Sequence, residues 1–483
     1  MDVPSISAEA ITAVARQGLA GGGRPQRVVI VGAGMAGLAA GYELLRAGHE
    51  PVILEARGRA GGRVYTLREP FTHGLYGEAG AMRIPRSHHL THAYCAKFNL
   101  TLSPFTMGNG QGYCYLAGRR LRAGEVAAQA DTLPFELGAH ERGHSVYTLW
   151  GEAIQECRDL LGLPDGGWEA ICARYDQYSI REFLEYKGWS EGAIELYGLL
   201  ADQEALLNSS FLEALREELG GFYEDMVEID GGMDHLPNAF LPALAPHIRF
   251  GAKMVAIDQS PAGATIHYET RAGRFSVSGD YAIITVPFPV LRHVECLQPF
   301  SRAKQRAIRQ LHYDASAKIL FQCRRRFWEE DDGIFGGGTL SDLPIRVTYY
   351  PDHHRETGRG VILASYTWSE DAQRWGSLAP HDRIAQALEN LALIHPQVTE
   401  AFEVGTSYMW HDDEFAGGAF ALFDPGQQSL LYDAIVRPEG RIFFAGEHAS
   451  LAHAWIQGAI ESGLRCAAQI HELAKRGEPV TAG

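Results

Sequence analysis

The stretch Val28-Val-Ile-Val-Gly-Ala-Gly-Met-Ala-Gly-Leu38 leads into a helical pattern over 38–47 and then into Val52-Ile-Leu-Glu55-Ala-Arg-Gly-Arg59-Ala-Gly-Gly-Arg63. The β-branched run at its start makes a buried strand. Gly32 allows a tight turn, Gly34 lets the backbone approach a pyrophosphate, and Gly37 lets the next helix pack closely on the sheet. Ala33, Met35 and Ala36 complete that loop, and the helix start offers free N–H groups and a positive dipole end to phosphate. Leu38, Leu44 and Leu45 give the helix its apolar side, and Gly48 stops it. Glu55 ends the second strand about twenty residues past the glycines, where a carboxylate accepts hydrogen bonds from ribose hydroxyls; Ala56 and Arg57 follow it. A lone glycine triplet says little, but strand, glycines, helix, strand and acid in this order read as a dinucleotide site for FAD.

The chain has 483 residues, enough for two or three domains, and 46% of them are hydrophobic, enough for sizeable cores. A formal charge of -16 argues against nucleic acid or an anionic membrane as the main partner, because either calls for a basic surface. The densest basic run, Arg324-Arg325-Arg326, follows an apolar strand and reads as a solvated strand end. Seven scattered cysteines without a CxxC pair favour free thiols in a reducing compartment and give no thiolate metal site. The first 23 residues lack the basic and apolar regions of a signal peptide, and residues 8–19 alternate as a short amphipathic helix before Gly21-Gly-Gly23. No apolar run approaches the roughly twenty residues of a membrane span, so a cytoplasmic protein is expected.

The dinucleotide unit is discontinuous. A second piece starts at Gly231-Gly232 and includes the strand-like Tyr281-Ala-Ile-Ile-Thr-Val286; a third includes Arg441-Ile-Phe-Phe-Ala445 and a helix over 455–474. Residues 121–225 carry helical spacing, as in Ile180-Arg-Glu-Phe-Leu-Glu-Tyr186, and residues 316–430 carry strand patterns such as Lys318-Ile-Leu-Phe-Gln322. The expected architecture is α/β: a Rossmann-like FAD-binding domain of 24–75, 231–315 and 431–483, a mixed-sheet substrate domain of 1–23, 76–120 and 316–430, and a helical insert over 121–230.

Several further motifs stand in a fixed order: Glu55-xxx-Arg59-x-Gly-Gly-Arg63, Gly80-Ala-Met-Arg83-Ile-Pro85, Asp230-Gly-Gly-Met-Asp234, Ala317-Lys318-Ile319 ahead of Phe327-Trp328, Trp410 ahead of Ala416-Gly-Gly-Ala-Phe420, and Phe444-Ala-Gly-Glu447-His448 ahead of Ala454-Trp455-Ile456. With them nearly the whole chain resembles the flavin amine oxidase superfamily, most of all its L-amino acid oxidase branch. The resemblance implies that Arg83 binds the substrate carboxylate, a role suited to a planar guanidinium with two parallel donors. Tyr366 falls where the family places a tyrosine donating to the same carboxylate, with Tyr349 and Tyr350 as competitors. Lys318 resembles the lysine that holds a water at the flavin N5 and helps reoxidation by dioxygen. Trp455 and Phe420 match the aromatic walls flanking the substrate, with Ala454 beside them, and the helix from Ile456 aims its N–H groups at the flavin N1 side. Gly62, Arg63, Gly80, Ala81, Met82, Met254, Trp410, Gly446 and Glu447 join the cofactor-binding set by the same resemblance.

Departures from the pattern carry information too. Ala419 stands where monoamine oxidases have the cysteine that attaches FAD, so noncovalent FAD is expected. A substrate-side histidine of some relatives has no counterpart; Arg216, Glu217 and Glu218 occupy that neighbourhood and read as a solvated helix face, although a glutamate turned to the pocket would favour a cationic side chain. The pairs His88-His89 and His353-His354 lack metal-ligand spacing, and no metal is expected. The resemblance thus implies oxidative deamination of L-amino acids, broad and favouring aromatic or large side chains, to 2-oxo acids, ammonia and hydrogen peroxide. An oxidase restricted to arginine or lysine, a flavin dehydrogenase and an amino acid 2-monooxygenase share the motifs. The expected partners are the amino acid, dioxygen and a second copy in a homodimer.

Overall fold

The computed structural model describes residues 3–162 and 166–476; the few remaining positions of the ranges above lie outside the described residues. Its organising element is a parallel sheet of β1 (Arg27–Val31), β2 (Glu50–Glu55), β3 (Ile248–Phe250), β4 (Tyr281–Ile284) and β5 (Ile442–Phe444), in the spatial order β5-β4-β1-β2-β3. Central β1 pairs with β2 on one side and β4 on the other, both in parallel. Covered on both faces, it needs the unbroken apolar run that the sequence shows, and Val28, Val29 and Ile30 are fully buried. The helix Met35–Arg46 makes the crossover to β2, starting three residues earlier than the apolar pattern suggests because its first turn lies in the glycine loop. It packs on the last helix, Ile456–Arg476, where a β-carbon on Gly463 would lie 2.3 Å from the Ala36 carbonyl oxygen. The chain therefore returns from its far end to close the dinucleotide site.

The N-terminal helix Ala8–Gln17 sinks Ile11, Val14 and Ala15 into the core of this sheet, not into the substrate part with which residues 1–23 were grouped. A second, mixed sheet has seven strands in the order 402–409, 316–323, 360–368, 347–349, 338–341, 113–116, 119–122. All eight positions of Ser316–Cys323 are buried, so Lys318 carries its side chain inside the protein and not on a solvent-facing strand position. Among the described residues six α-helices between Val146 and Leu219 form the insert, around stacked Phe183 and Phe211, 3.6 Å between ring centroids, and Trp150 on Tyr197. The basic run departs from expectation at Arg326: it is buried, donating to the carbonyls of His353 and Arg359 and to Glu329 at 2.7 Å. A loop closing over the strand end gathers those acceptors, which is why the guanidinium leaves water. All seven cysteines are free, and among the described residues no helix is long and apolar enough to cross a membrane.

Candidate active site

One cavity of about 1380 Å³ runs from the end of β1 to the helical insert. At the β1 end, Gly32 sits at φ 111°, and a β-carbon there would meet the Thr285 hydroxyl at 2.5 Å, while one on Gly37 would lie 2.0 Å from the Gly32 carbonyl oxygen. Gly34 differs. Its β-carbon would meet nothing nearer than the Gly62 Cα at 4.0 Å, so two glycines face each other across open space. The helix beginning at Met35 has no side-chain N-cap, which leaves its first N–H groups free for an anion. Beside them Glu55 accepts from the backbone N–H groups of Ala33 and Arg57, 2.8 Å each, and burial raises its carboxyl against those two donors. An uncapped helix start, a glycine-lined gap and a fixed carboxylate fit a dinucleotide's pyrophosphate and ribose.

Further along, Ala56, Arg57, Gly62, Met254 and Trp410 line the cavity wall, with Arg57 paired to Asp413. The Trp410 indole donates to the Ala79 carbonyl at 2.7 Å, and Gly80 is obligatory because a β-carbon would lie 1.8 Å from the Arg63 carbonyl oxygen. Glu447 is a junction: it accepts from Arg63 at 2.7 Å, from the Ala421 N–H and from the Ala454 N–H at 3.0 Å. Ala454 has φ 65°, a left-handed conformation that costs free energy in a residue with a β-carbon. Held there by Glu447, it turns Trp455 into the cavity just before the last helix starts at Ile456.

Lys318, Arg83, Tyr366, Phe420, Ala454 and Trp455 all line this same cavity, as do Ala81, Met82 and Gly446. The Lys318 ammonium donates to the carbonyls of Gly80 at 2.6 Å and Glu78 at 3.2 Å and stands 4.5 Å from the Tyr366 ring centre. Burial lowers its pKa to about 7, with the Glu78 carboxylate opposing that shift. Glu78, anchored by the Met233 N–H and the Thr66 hydroxyl, is itself raised to about 7 by burial. Arg83 donates to the Tyr349 hydroxyl at 3.1 Å, so Tyr349, one of the competitors, is the tyrosine bonded to it, and Tyr366 stands over Lys318. Among the described residues Arg83 has no carboxylate partner.

The helix Phe211–Leu219 corrects the reading of Arg216 and Glu217 as a solvated face. Arg216 is buried against Glu213, and the Glu217 carboxylate accepts from the Trp455 indole at 2.7 Å and from the Tyr223 hydroxyl. Glu218 also reaches the cavity wall, paired with Arg158 at 3.3 Å. Sequence reasoning passed over two other groups, Asp202 and Glu78, and weighed a third, His88, only as a metal ligand. Asp202 opens onto the cavity, Glu78 stands behind Lys318, and His88 packs edge-on against Trp455, 4.9 Å between ring centres, held neutral because burial lowers its pKa to about 3. The Glu78 carboxyl, next to the Gly80-Ala-Met-Arg83 motif, was the one with a local signal. Among the described residues there is no cluster of three or more His, Cys, Asp or Glu placed to hold a metal.

Comparison with known proteins places this geometry. Residues 35–471 match the family model described as flavin containing amine oxidoreductase. The chain is 40% identical over 470 residues to a putative L-amino-acid oxidase, YobN, of Bacillus subtilis, covering 95% of this chain and 98% of that protein. It is 35% identical to an L-amino-acid oxidase of Vipera ammodytes ammodytes, covering 96% of each. Among solved structures, wild-type putrescine oxidase bound to putrescine superposes with a TM-score of 0.73 at 21% identity, covering 92% of this chain and 99% of that one, a likeness of fold. The chain belongs to the flavin-containing amine oxidoreductase family and is an FAD-dependent oxidoreductase.

Proposed function

We propose that the chain oxidises the α-amino group of L-amino acids, giving the imino acid, which water converts to the 2-oxo acid and ammonia. The observation that carries this reading is Arg83: a guanidinium in the cavity wall, with one hydrogen bond to Tyr349 and, among the described residues, no carboxylate bonded to it. A part-buried guanidinium with no carboxylate in contact leaves donors unused, and an α-carboxylate supplies two acceptors in matching geometry. An amine without a carboxylate leaves those donors unused. FAD, when bound, supplies the two-electron acceptor for the Cα–H and passes the electrons to dioxygen, forming hydrogen peroxide.

The residues supply positioning, not a strong base, if the amine arrives neutral. Arg83 and Tyr349 fix the carboxylate, Trp455 and Phe420 confine the carbon that reacts, and the Lys318 ammonium holds charge next to the Gly80 carbonyl. Tyr366 limits how far that ammonium can move. Ala419 brings no thiol to the cavity, so FAD is held without a covalent bond, and the homodimer and the cytoplasmic location belong to the same proposal.

The test is anaerobic mixing of the yellow protein with L-amino acids, D-amino acids and simple amines, followed by readmission of air and a peroxide assay. Bleaching by L-amino acids alone with peroxide on reoxidation supports the reading. Bleaching by amines and not by amino acids overturns it. Bleaching without peroxide points to a dehydrogenase, and an amide product to a monooxygenase.

A further inference from the structure

At the helical-insert end the cavity gathers more acids than the chain pairs with cations. Four acids line it there: Asp202, Glu213, Glu217 and Glu218. Glu213 is matched by His453 at 2.8 Å and Arg216 at 3.2 Å, and Glu218 by Arg158. Among the described residues Asp202 and Glu217 have no salt bridge, and burial raises both carboxyls, that of Asp202 to about 8, so each holds its proton more tightly until a cation pairs with it. Glu217 is fixed in place by two donors, the Trp455 indole and the Tyr223 hydroxyl, which orient a carboxylate without cancelling its charge. Asp202 has no hydrogen bond or ion pair among the described residues; it is enclosed by protein, and the surface it keeps opens into the cavity. Arg346, a cation near enough to act on it, is already paired with Glu204 and Asp371.

Arg83 is the other cation that both acids feel, and the substrate's α-carboxylate takes it. Once that pair forms, both acids face the bound molecule without a counter-ion. The α-amine does not meet the need, because it must be neutral when the Cα–H leaves. Asp202 also sits at φ 55°, a left-handed conformation that aspartate tolerates better than most residues. Tyr147 and Tyr223 line the same cavity and bring aromatic surface against which a flat cation packs.

We propose, resting on the L-amino acid reading above, that this end of the cavity receives the cationic side chain of a basic L-amino acid, its guanidinium or ammonium group pairing with Asp202 and lying beside Glu217. A neutral aromatic or large side chain, the expectation from the sequence, leaves both acids without a partner and Asp202 protonated at neutral pH, whereas a cation pairs with its ionised form. Specificity then comes from the penalty on neutral side chains as much as from the gain with cationic ones.

The experiment is a comparison of flavin reduction by L-arginine and by L-citrulline, its neutral isostere, and by L-lysine and L-norleucine, in the FAD-loaded parent, Asp202→Asn and Glu217→Gln. Asparagine accepts the left-handed backbone as aspartate does, and flavin content with thermal melting reports the fold of each variant. In the parent, arginine is expected to exceed citrulline by on the order of 100-fold in kcat/KM, and lysine to exceed norleucine similarly. Asp202→Asn is expected to narrow those ratios to roughly tenfold or less by losing the cationic substrates while sparing the neutral ones. Equal use of the charged and neutral members of each pair by the parent overturns the proposal, as does an Asp202→Asn variant that slows all four alike. If no L-amino acid reduces the flavin, the fault lies with the reaction class and not with the side-chain pocket.

Discussion

The Trp455 indole N–H donates to the Glu217 carboxylate at 2.7 Å, tying the turn before the last helix to the helical insert. Two parts of the chain more than two hundred residues apart thus set one wall of the cavity. Trp455→Phe keeps an aromatic wall and removes the donor, leaving Glu217 with Tyr223 alone. The expected result is a fall of about tenfold in kcat/KM, mainly through KM, the size of one hydrogen bond to a charged group. Steady-state peroxide release against substrate concentration checks it, and unchanged parameters would show that Glu217 needs no second donor.

Arg83 and Tyr349 make the second prediction. Arg83→Ala is expected to lower kcat/KM on the order of 100-fold or more and to slow anaerobic flavin reduction at saturating substrate, because orientation is lost with the charge pair. Tyr349→Phe should cost roughly tenfold. Stopped-flow reduction rates separate binding from orientation: an Arg83→Ala variant that reduces its flavin at the parent rate once saturated has lost only affinity.

Lys318 supplies a pH dependence. Its ammonium, with a pKa of about 7, is charged below that pH and neutral above it. A cation beside the flavin stabilises the anion formed as dioxygen takes electrons, so reoxidation should be fastest below about pH 7 and fall as pH rises through it. Lys318→Met should slow reoxidation on the order of 100-fold and flatten the profile. Glu78→Gln removes a charge that holds the proton on Lys318, so the midpoint should move to lower pH. Rapid mixing of reduced enzyme with aerated buffer at several pH values decides this; a profile identical in all three proteins would remove Lys318 from the oxidative step.

The dinucleotide end was legible in the sequence because its causes are local. Strand, glycines and acid act through spacing along one segment, and Gly32, Gly37 and Glu55 stand where spacing puts them. The substrate end depends on tertiary docking, which spacing does not report. Glu217 looks like any charged residue of an amphipathic helix, and only the packing of Phe211–Leu219 over Trp455 turns it inward. Asp202 lies past a helix end with no pattern around it. The choice between Tyr349 and Tyr366 depends on strand register: Val347 pairs with Tyr366 and Tyr349 with Leu363, across an irregularity between Val347 and Tyr349. Arg326 reads as solvated until a loop brings it carbonyls.

Two glycines of the first motif make opposite predictions. A β-carbon on Gly37 would lie 2.0 Å from a backbone oxygen in the same turn, so Gly37→Ala should distort the fold itself. A loss of about 1–3 kcal/mol or more is expected from such overpacking, seen as a lower melting temperature with and without FAD. Gly34 has φ -75° and open space in front of it, so Gly34→Ala costs the apoprotein nothing in strain. The added methyl enters the gap between Gly34 and Gly62, where a pyrophosphate must approach the backbone. Gly34→Ala is therefore expected to melt as the apoprotein does while binding FAD at least roughly tenfold more weakly, a difference measured by flavin fluorescence titration of apoprotein. Parent affinity in Gly34→Ala would place the pyrophosphate elsewhere in the cavity, and the assignment of the uncapped helix start would fall with it.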